Sequence, residues 1–549
     1  MNSYINFTSS KCVIQYFSDT GIHTVESEKP SEYFSTPSSF QYTMNNCLIS
    51  VNTKKSLGEA YGTFQIKMIN VVDGNGRSWL DLLKPQQLVV IKLASNRSKK
   101  YYTDPKPVMI GFINQITLDG TYNTDRPYQV ISVIGADMGK ALFDAYLYYR
   151  YPTKEGMELF FTRSILEVIP IGAVNKVMQQ ILDNVFPSLY TAKFPLWDNN
   201  GTIIDGTILD IMKYKLGFTY GVLNNVNYLT LPENSIWNIL LGYADFPLNE
   251  LFVDVLDDED RDKYVANQGC LAKYSNAPRD FDGHSVYTIL RPTPFISSVF
   301  GDTEYTDDHA RDGVIGKMNL WYSLPSVEIT DSDILSQSIS KSSYELYNYF
   351  STQSAWVMGI LNANGKVGGA QTPIWYDLFY MPSALKYGLK RLVIPISIYP
   401  NDTDIGALLT NRNNKVSILP KTDSLTQFMD DLTRVWHDWN VYNHEYLSGS
   451  KLLIGNPDLQ VGKRLVQKGF NSIMNHYIQS VEHSYQMTTE GGSYTTNVQI
   501  VRGFNADERK SGTNIKKHSK QGLESLTPES GYQLMKGSID IVKWPDEAF

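Results

Sequence analysis

Hydrophobic and polar positions alternate in short runs over two long parts of the chain and shift to a three- and four-residue spacing mainly between them. In the first part the runs Lys11–Phe17, Cys47–Thr53, Tyr61–Val71, Leu88–Ala94, Val108–Leu118 and Tyr128–Ile134 read as strands rich in β-branched and aromatic residues. Turns are predicted at Asp73-Gly74-Asn75-Gly76, at Asn96–Ser98 and at Asp119-Gly120, and a short helix at Gly135–Asp144. Strands at this spacing predict an antiparallel barrel or sandwich.

After Asp144 the pattern changes. Val174, Val177, Met178, Ile181, Leu182 and Val185 form the stripe of an amphipathic helix between Gly172 and Pro187, and Asn234–Leu241 is a second, shorter helix. Leu251–Lys263 is dense in carboxylates with no glycine among them, which predicts a solvated acidic loop and not a calcium loop. Strand character resumes at Ser285–Phe295, and Asp331–Phe350 reads as polar strand and linker. Asn362–Thr372 reads as a glycine-bearing loop. Ser424–Trp439 is the best helix of the sequence, with Leu425, Phe428, Leu432, Val435, Trp436 and Trp439 on one face and a Ser424/Gln427 capping box. Lys451–Ile454 and Gly462–Leu465 flank the turn Asn456-Pro457-Asp458. Then comes a hairpin, Tyr477–Met487 and Ser493–Val501 about Glu490-Gly491-Gly492, around which the chain is organised. A strand pair alone is marginal in water, so a larger sheet must support it.

The fold class expected is β-rich α+β and multidomain: two antiparallel β-barrels per chain with a mixed α/β region between them. The divisions are 1–145, the first barrel; 146–319, the mixed region, with an insertion at about 146–235; 320–510, the second barrel with helix 424–439 and the hairpin; and 511–549, a polar C-terminal arm. A chain of 549 residues exceeds what one core serves. The 36 tyrosines suit sheets and interfaces wet at the edge, and a formal charge of −8 opposes nonspecific binding to nucleic-acid phosphates. Cys12, Cys47 and Cys270 are too few and scattered for a disulfide framework, and read as small buried hydrophobes in a reducing compartment. The N-terminus carries no leader pattern, and no apolar run is long enough to span a membrane, so a soluble cytoplasmic product is expected.

The chemistry-bearing residues form no convincing constellation. There is no Gly-x-Ser-x-Gly elbow, and His444-Glu445 begins a zinc-peptidase pattern that Ser448 breaks. His437, His444, His476 and His483 share the C-terminal third but have no companions at ligand spacing. Glu482 with Asp458 is a carboxylate pair of the kind a glycosidase needs, though carboxylates on strands are commonplace. No catalytic, cofactor-binding or metal-binding residues are therefore assigned, and no cofactor is expected.

Several segments, in order, resemble one known family. They are Gly111–Ile116 (GFINQI) leading to Val133–Asp137 (VIGAD), Arg291-Pro292-Thr293-Pro294-Phe295, Tyr387-Gly388-Leu389-Lys390, Gly455-Asn456-Pro457-Asp458-Leu459 with Val461-Gly462, and Tyr477–His483 answered by Tyr494-Thr495-Thr496. In these the chain resembles the baseplate hub proteins of phage tails, the group that includes late control protein D, over roughly two thirds of its length. The stretches 146–235 and 511–549 look like additions. The resemblance implies two tail-tube-like barrels per chain and a homotrimer that offers six similar barrels to the hexameric tail tube and joins it to the trimeric central spike. It also implies other baseplate proteins as neighbours, a channel for DNA read without sequence specificity, no membrane insertion, and a place in the virion's tail baseplate after assembly in the host cytoplasm. A contractile tail is the type expected. Two rival readings come from other classes: a tail-tip enzyme that opens the cell wall, with 146–235 as its catalytic insert, and a host-receptor binder.

Overall fold

The computed structural model describes residues 10–27, 41–45, 47–71, 78–95, 105–121, 128–147, 172–197, 202–217, 225–226, 234–244, 249–264, 271–273, 281–294, 324–354, 375–396, 436–437, 440, 443–469, 472–488 and 491–505. It is strand-rich with few helices, and its centre is one large, curled, mostly antiparallel sheet of fourteen strands. The strands of the first region are β1 (Lys11–Ser18), β2 (Gly21–Glu26), β3 (Gln41–Asn45), β4 (Leu48–Ser56), β5 (Thr63–Ile69), β6 (Leu88–Ala94), β7 (Lys106–Thr121) and β8 (Tyr128–Asp137). A smaller sheet in the middle region comprises β9 (Met212–Leu216), β10 (Asn249–Asp257), β11 (Leu271–Lys273) and β12 (His284–Pro292), in the order β10-β12-β9-β11. The last region supplies β13 (Ser326–Thr330), β14 (Ile334–Ser340), β15 (Leu447–Ile454), β16 (Arg464–Lys468), β17 (Ile473–Thr488) and β18 (Gly491–Asn505).

Across the large sheet the order is β14-β15-β18-β17-β4-β5-β8-β7-β6-β1-β2-β3, with β16 between β13 and the start of β17. The two β-rich regions expected from the sequence are thus present, and their strands run on into one another. Extracted separately, each region repeats one arrangement. In space the first runs β4-β5-β8-β7-β6-β1 and the last runs β14-β15-β18-β17-β16-β13. In the chain the same strands come in the same succession. One neighbour differs in direction: β1 is antiparallel to β6, whereas β13 is parallel to β16.

Burial explains the residue choice. Every residue of β6 is buried, because Leu88 and Val90 face a core shared with the middle region while Val89, Ile91 and Leu93 face the core of the first sheet. A strand covered on both faces reads as a continuous apolar run. Its one charge, Lys92, reaches Asp282 at 2.6 Å. Tyr485 and Tyr494, from the C-terminal hairpin, belong to the same core as Val51, Phe64 and Ile66 of the first region.

Three local expectations are corrected. Asp119-Gly120 is not a turn: it lies inside β7, because pairing with β8 continues as far as Thr121 opposite Tyr128. Leu251–Lys263 is not a solvated loop. Its first half is β10, buried along nearly its whole length, and its second half is the helix Asp258–Tyr264. The apolar residues bury the strand, and four of the segment's carboxylates find lysines elsewhere, Asp254 with Lys55 at 3.0 Å, Asp257 with Lys106 at 3.8 Å, Asp260 with Lys463 at 2.5 Å and Asp262 with Lys215 at 3.0 Å. Pro187 does not end the middle helix. The α-helix Val174–Gln180 passes through a π-turn, Ile181–Val185, into Phe186–Leu189, where the proline occupies the first turn and needs no amide partner.

The helix expected at Gly135–Asp144 is shorter, Gly139–Asp144, because Gly135–Asp137 still belong to β8. The strand expected at Gly462–Leu465 is Arg464–Lys468. Cys12 and Cys47 are free and buried, as small hydrophobes, with burial pushing the Cys47 thiol up to about 11. The turns at 73–76 and 96–98, the loop at 362–372, most of helix 424–439, Cys270 and the arm 511–549 lie outside the described residues.

Candidate assembly site

The feature that joins the two repeated units is a strand junction. β17 is long enough to hold two neighbours on one edge: Ile473–Tyr477 pairs with β16, and Ser480–Gln486 pairs with β4 of the first unit. A bulge between Ile478 and Ser480 marks the change of neighbour. In the junction Ser484 lies opposite Asn52 and donates from Oγ to its Oδ1 at 2.7 Å, and Glu482 lies opposite Lys54. On the inward side, His483 Nδ1 and the Tyr494 hydroxyl share a hydrogen bond of 2.8 Å. Burial lowers the pKa of His483 to about 4, so it is neutral there.

Two buried polar networks fasten the middle region beneath this junction. In the first, Lys55 of β4 sits 3.0 Å from both Asp137 of β8 and Asp254 of β10, all three nearly inaccessible to solvent. Burial disfavours the charge on Lys55, but the two carboxylates outweigh it and its pKa is raised. Burial likewise raises Asp137, against the pull of Lys55 and of the backbone N–H of Gly139 at 2.9 Å. Two carboxylates facing one ammonium in a dry site leave an excess negative charge, which a raised carboxyl pKa relieves.

In the second, Arg291 of β12 donates from Nε to Glu250 Oε1 at 2.6 Å, and from its terminal nitrogens to the Gly462 carbonyl at 2.6 Å and the Tyr477 hydroxyl at 3.0 Å. Tyr477 in turn donates to Glu250, 2.6 Å from Oε1. The guanidinium lies over the Phe252 and Tyr264 rings at 5.1 and 5.2 Å. Gly462 has φ +72°, and a Cβ there would stand 2.7 Å from the guanidinium.

The structure brings together three of the segments that carry the family resemblance: Arg291 bonds to both Gly462 and Tyr477. Gly111–Ile116 and Val133–Asp137 are paired strands, with Gly111 opposite Asp137 and Ile116 opposite Val133. The candidate histidines do not converge. His476 is buried on β17, where burial and then Lys451 lower its pKa to about 3. His437 packs edge-on to Phe350 and Tyr380, and His444 edge-on to Tyr387. Asp458 is 2.7 Å from Lys106, and Glu482 lies opposite Lys54. Among the described residues no three His, Cys, Asp or Glu side chains are placed to share a metal ion, and no helix is long and apolar enough to cross a membrane. Sequence reasoning missed both networks. Their signal was present as single charges inside apolar runs, Asp254 in LFVDVL and Asp137 at the end of VIGAD.

No protein-family model matches this chain, and no curated protein sequence does. Among solved structures it is similar to a tail protein from Neisseria meningitidis MC58 at 8% identity, covering 90% of this chain and 97% of that one with a TM-score of 0.42. It is also similar to the 43 kDa tail protein of prophage MuSo2 from Shewanella oneidensis, at 11% identity over 90% of this chain and 98% of that one, TM-score 0.41. A prophage tail protein from Listeria monocytogenes EGD-e aligns at 9% identity over 87% of this chain and all of its own length, TM-score 0.35.

Proposed function

We propose that this chain is the structural hub of a phage-like tail baseplate. Three copies close into a ring, and the two strand units of each present six similar modules to a hexameric tail tube while the ring keeps threefold symmetry toward a trimeric spike. The observation that carries this reading is the repetition of one six-strand order, in chain and in space, within a single polypeptide. A closed cyclic assembly matches a sixfold neighbour to a threefold one when each subunit offers two quasi-equivalent surfaces. The ordered motifs at Gly111–Ile116, Arg291–Phe295 and Gly455–Gly462 support it through their resemblance to hub proteins. In this reading 1–145 and 320–510 are the tube-like domains, 146–319 the region between them and 511–549 an arm to a neighbouring baseplate protein.

The role is structural, without catalysis. The ring surrounds the channel through which DNA leaves, and a chain of formal charge −8 suits a lumen that does not hold a passing polyanion. The protein belongs to the virion tail, assembled in the host cytoplasm, of the contractile type.

Native mass spectrometry of the protein alone and with its spike, together with co-purification with the tube protein, tests the proposal. A trimer that retains tube and spike is the expected result. A monomer under both conditions, or a cleared band on cell-wall zymography, overturns it.

A further inference from the structure

The repetition extends to residue register, and it leaves one edge without its counterpart. The hairpins β7–β8 and β17–β18 superimpose by pairing with a constant shift along the chain. Gln115 opposite Ile134 answers to Ser480 opposite Gln499, and Thr121 opposite Tyr128 answers to Gln486 opposite Ser493. The bulge between Ile113 and Gln115 answers to the one between Ile478 and Ser480. β14 matches β4 equally closely: Ile334, Ser336 and Ile339 face Leu453, Leu452 and Gly449 as Leu48, Ser50 and Thr53 face Met68, Lys67 and Phe64, and both strands slip register after their first residue. Bulges at matching positions are built features of a strand, since each fixes where its pairing changes.

In the last unit the outer half of β17, Ser480–Gln486, is covered by β4. The equivalent half of β7, Gln115–Thr121, pairs with β8 on one side, and no described strand pairs with its other edge. β14, the counterpart of β4, ends the sheet: among the described strands it pairs only with β15, and its residues are mostly exposed. Among the described residues, one chain therefore carries a vacant acceptor half-strand at one unit and a vacant donor strand at the other.

We infer that β14 of a second copy of this chain adds to the outer half of β7, antiparallel, reproducing between copies the β17–β4 junction found within one. The equivalences set the register. Asp119 stands opposite Ser338 of the second copy where Ser484 stands opposite Asn52, Leu118 opposite Ile339 where His483 stands opposite Thr53, and Thr117 opposite Ser340 where Glu482 stands opposite Lys54.

The chemistry suits the pairing. Leu118 and Ile339 are both half-buried at the border of an apolar core, so joining them covers the remaining faces. The Ser338 hydroxyl is a donor facing the Asp119 carboxylate, as Ser484 is a donor facing the Asn52 amide oxygen. The contact is head-to-tail, so it propagates until rotation closes it into a ring. This rests on the hub reading and names the surface by which the ring closes.

Cysteine pairing tests it in the full-length chain with Cys270→Ser. The backbone bond from Leu57 to the Gln479 carbonyl makes Ser484/Asn52 a non-hydrogen-bonded pair, so Asp119/Ser338 is one too. Such pairs lie about 4.5 Å apart at Cα, within disulfide range. Asp119→Cys with Ser338→Cys is expected to give an intermolecular disulfide ladder ending at a covalent trimer on a non-reducing gel. Asp119→Cys with Ser336→Cys, two residues out of register, is expected to give at least tenfold less.

A second measurement uses charge at the same exposed positions. Ser338→Asp should weaken trimerisation about fivefold per junction, and adding Asp119→Lys should restore it. A trimer by mass that shows no register-specific crosslink and no charge effect overturns the edge pairing and leaves the hub standing. A protein that stays monomeric and uncrosslinked, alone and with its spike, overturns both.

Discussion

Replacing Arg291 with methionine removes the cation that ties the middle sheet to the last strand unit while keeping most of the side chain's length. Arg291 is 1% exposed, and its guanidinium donates to Glu250, Gly462 and Tyr477. Hydrogen bonds to charged groups contribute about 1.5–3 kcal/mol each, but the larger consequence is Glu250, left as a buried carboxylate whose remaining side-chain partner is the Tyr477 hydroxyl. Breaking a buried pair from one side costs about 3–5 kcal/mol, so about 4 kcal/mol is expected for R291M. Removing both charges leaves no orphaned ion, so the double variant R291M/E250L should recover more than half of that loss. Urea unfolding followed by far-UV circular dichroism gives the energies. Hydrogen exchange at Ser472–Ser480 reports whether the loosened contact is the one on β17. The reasoning is refuted if R291M and R291M/E250L cost the same, because the effect would then be lost packing against Phe252 and Tyr264, or if R291M costs under about 1 kcal/mol.

The other predictions concern groups held in the same buried layer. His476 and His483 are neutral in the fold, with pKa values lowered to about 3 and about 4. Against about 6.5 in the unfolded chain, the unfolded state binds more protons below that pH, so stability should fall as pH drops from about 6.5 toward 4, by about 2 kcal/mol per histidine at pH 5. Urea midpoints at pH 7.5 and 5 check this, and H483N should reduce the dependence. K55M strands Asp137 and Asp254 together and should cost about 3–5 kcal/mol at pH 7.5 by urea unfolding. That loss should shrink at pH 5, since the Asp137 carboxyl, raised in the fold by burial, favours the folded state as protons are added. Gly111→Ala places a Cβ 2.0 Å from the Ala136 carbonyl and 2.7 Å from the Asp137 Cα, both backbone, so the β7–β8 pair must shift. The expected loss is about 2 kcal/mol in urea, with increased exchange at Ile131–Asp137.

Much of the sheet was legible because its strands carry their own pattern. Leu88–Ala94 and the C-terminal hairpin follow from β-branched alternation, and the structure places them there. Errors arose where a local signal met a distant partner. Asp119-Gly120 looks like a turn and LFVDVLDDED looks like a solvated loop until β8 extends over the one, and Lys55 and Lys463 neutralise carboxylates of the other. Asp254 and Lys55 are 199 residues apart, and Arg291 and Tyr477 are 186 apart. No local window contains both members of either pair, so a lone charge in an apolar run was the only mark they left.

The repeat itself was hidden for a different reason. Equivalent positions of the two hairpins hold unlike residues: Gly135 answers to Ile500 and Asp119 to Ser484. The two units share the backbone pairing, the bulge after the first half of the long strand, and the alternation of inward and outward positions. Pairing and bulges are backbone properties that many side chains satisfy, which lets the sequences diverge while the edges stay superposable. Divergence is also what an asymmetric task requires. Lys55 on β4 is held between two carboxylates inside one chain, whereas Lys341, the residue that continues β14 at the equivalent place, is exposed. The junction made once during folding is locked by a buried ion network, and the one left for assembly keeps serines and a solvated lysine. A strand that must remain soluble until a neighbour arrives carries polar residues at its edge.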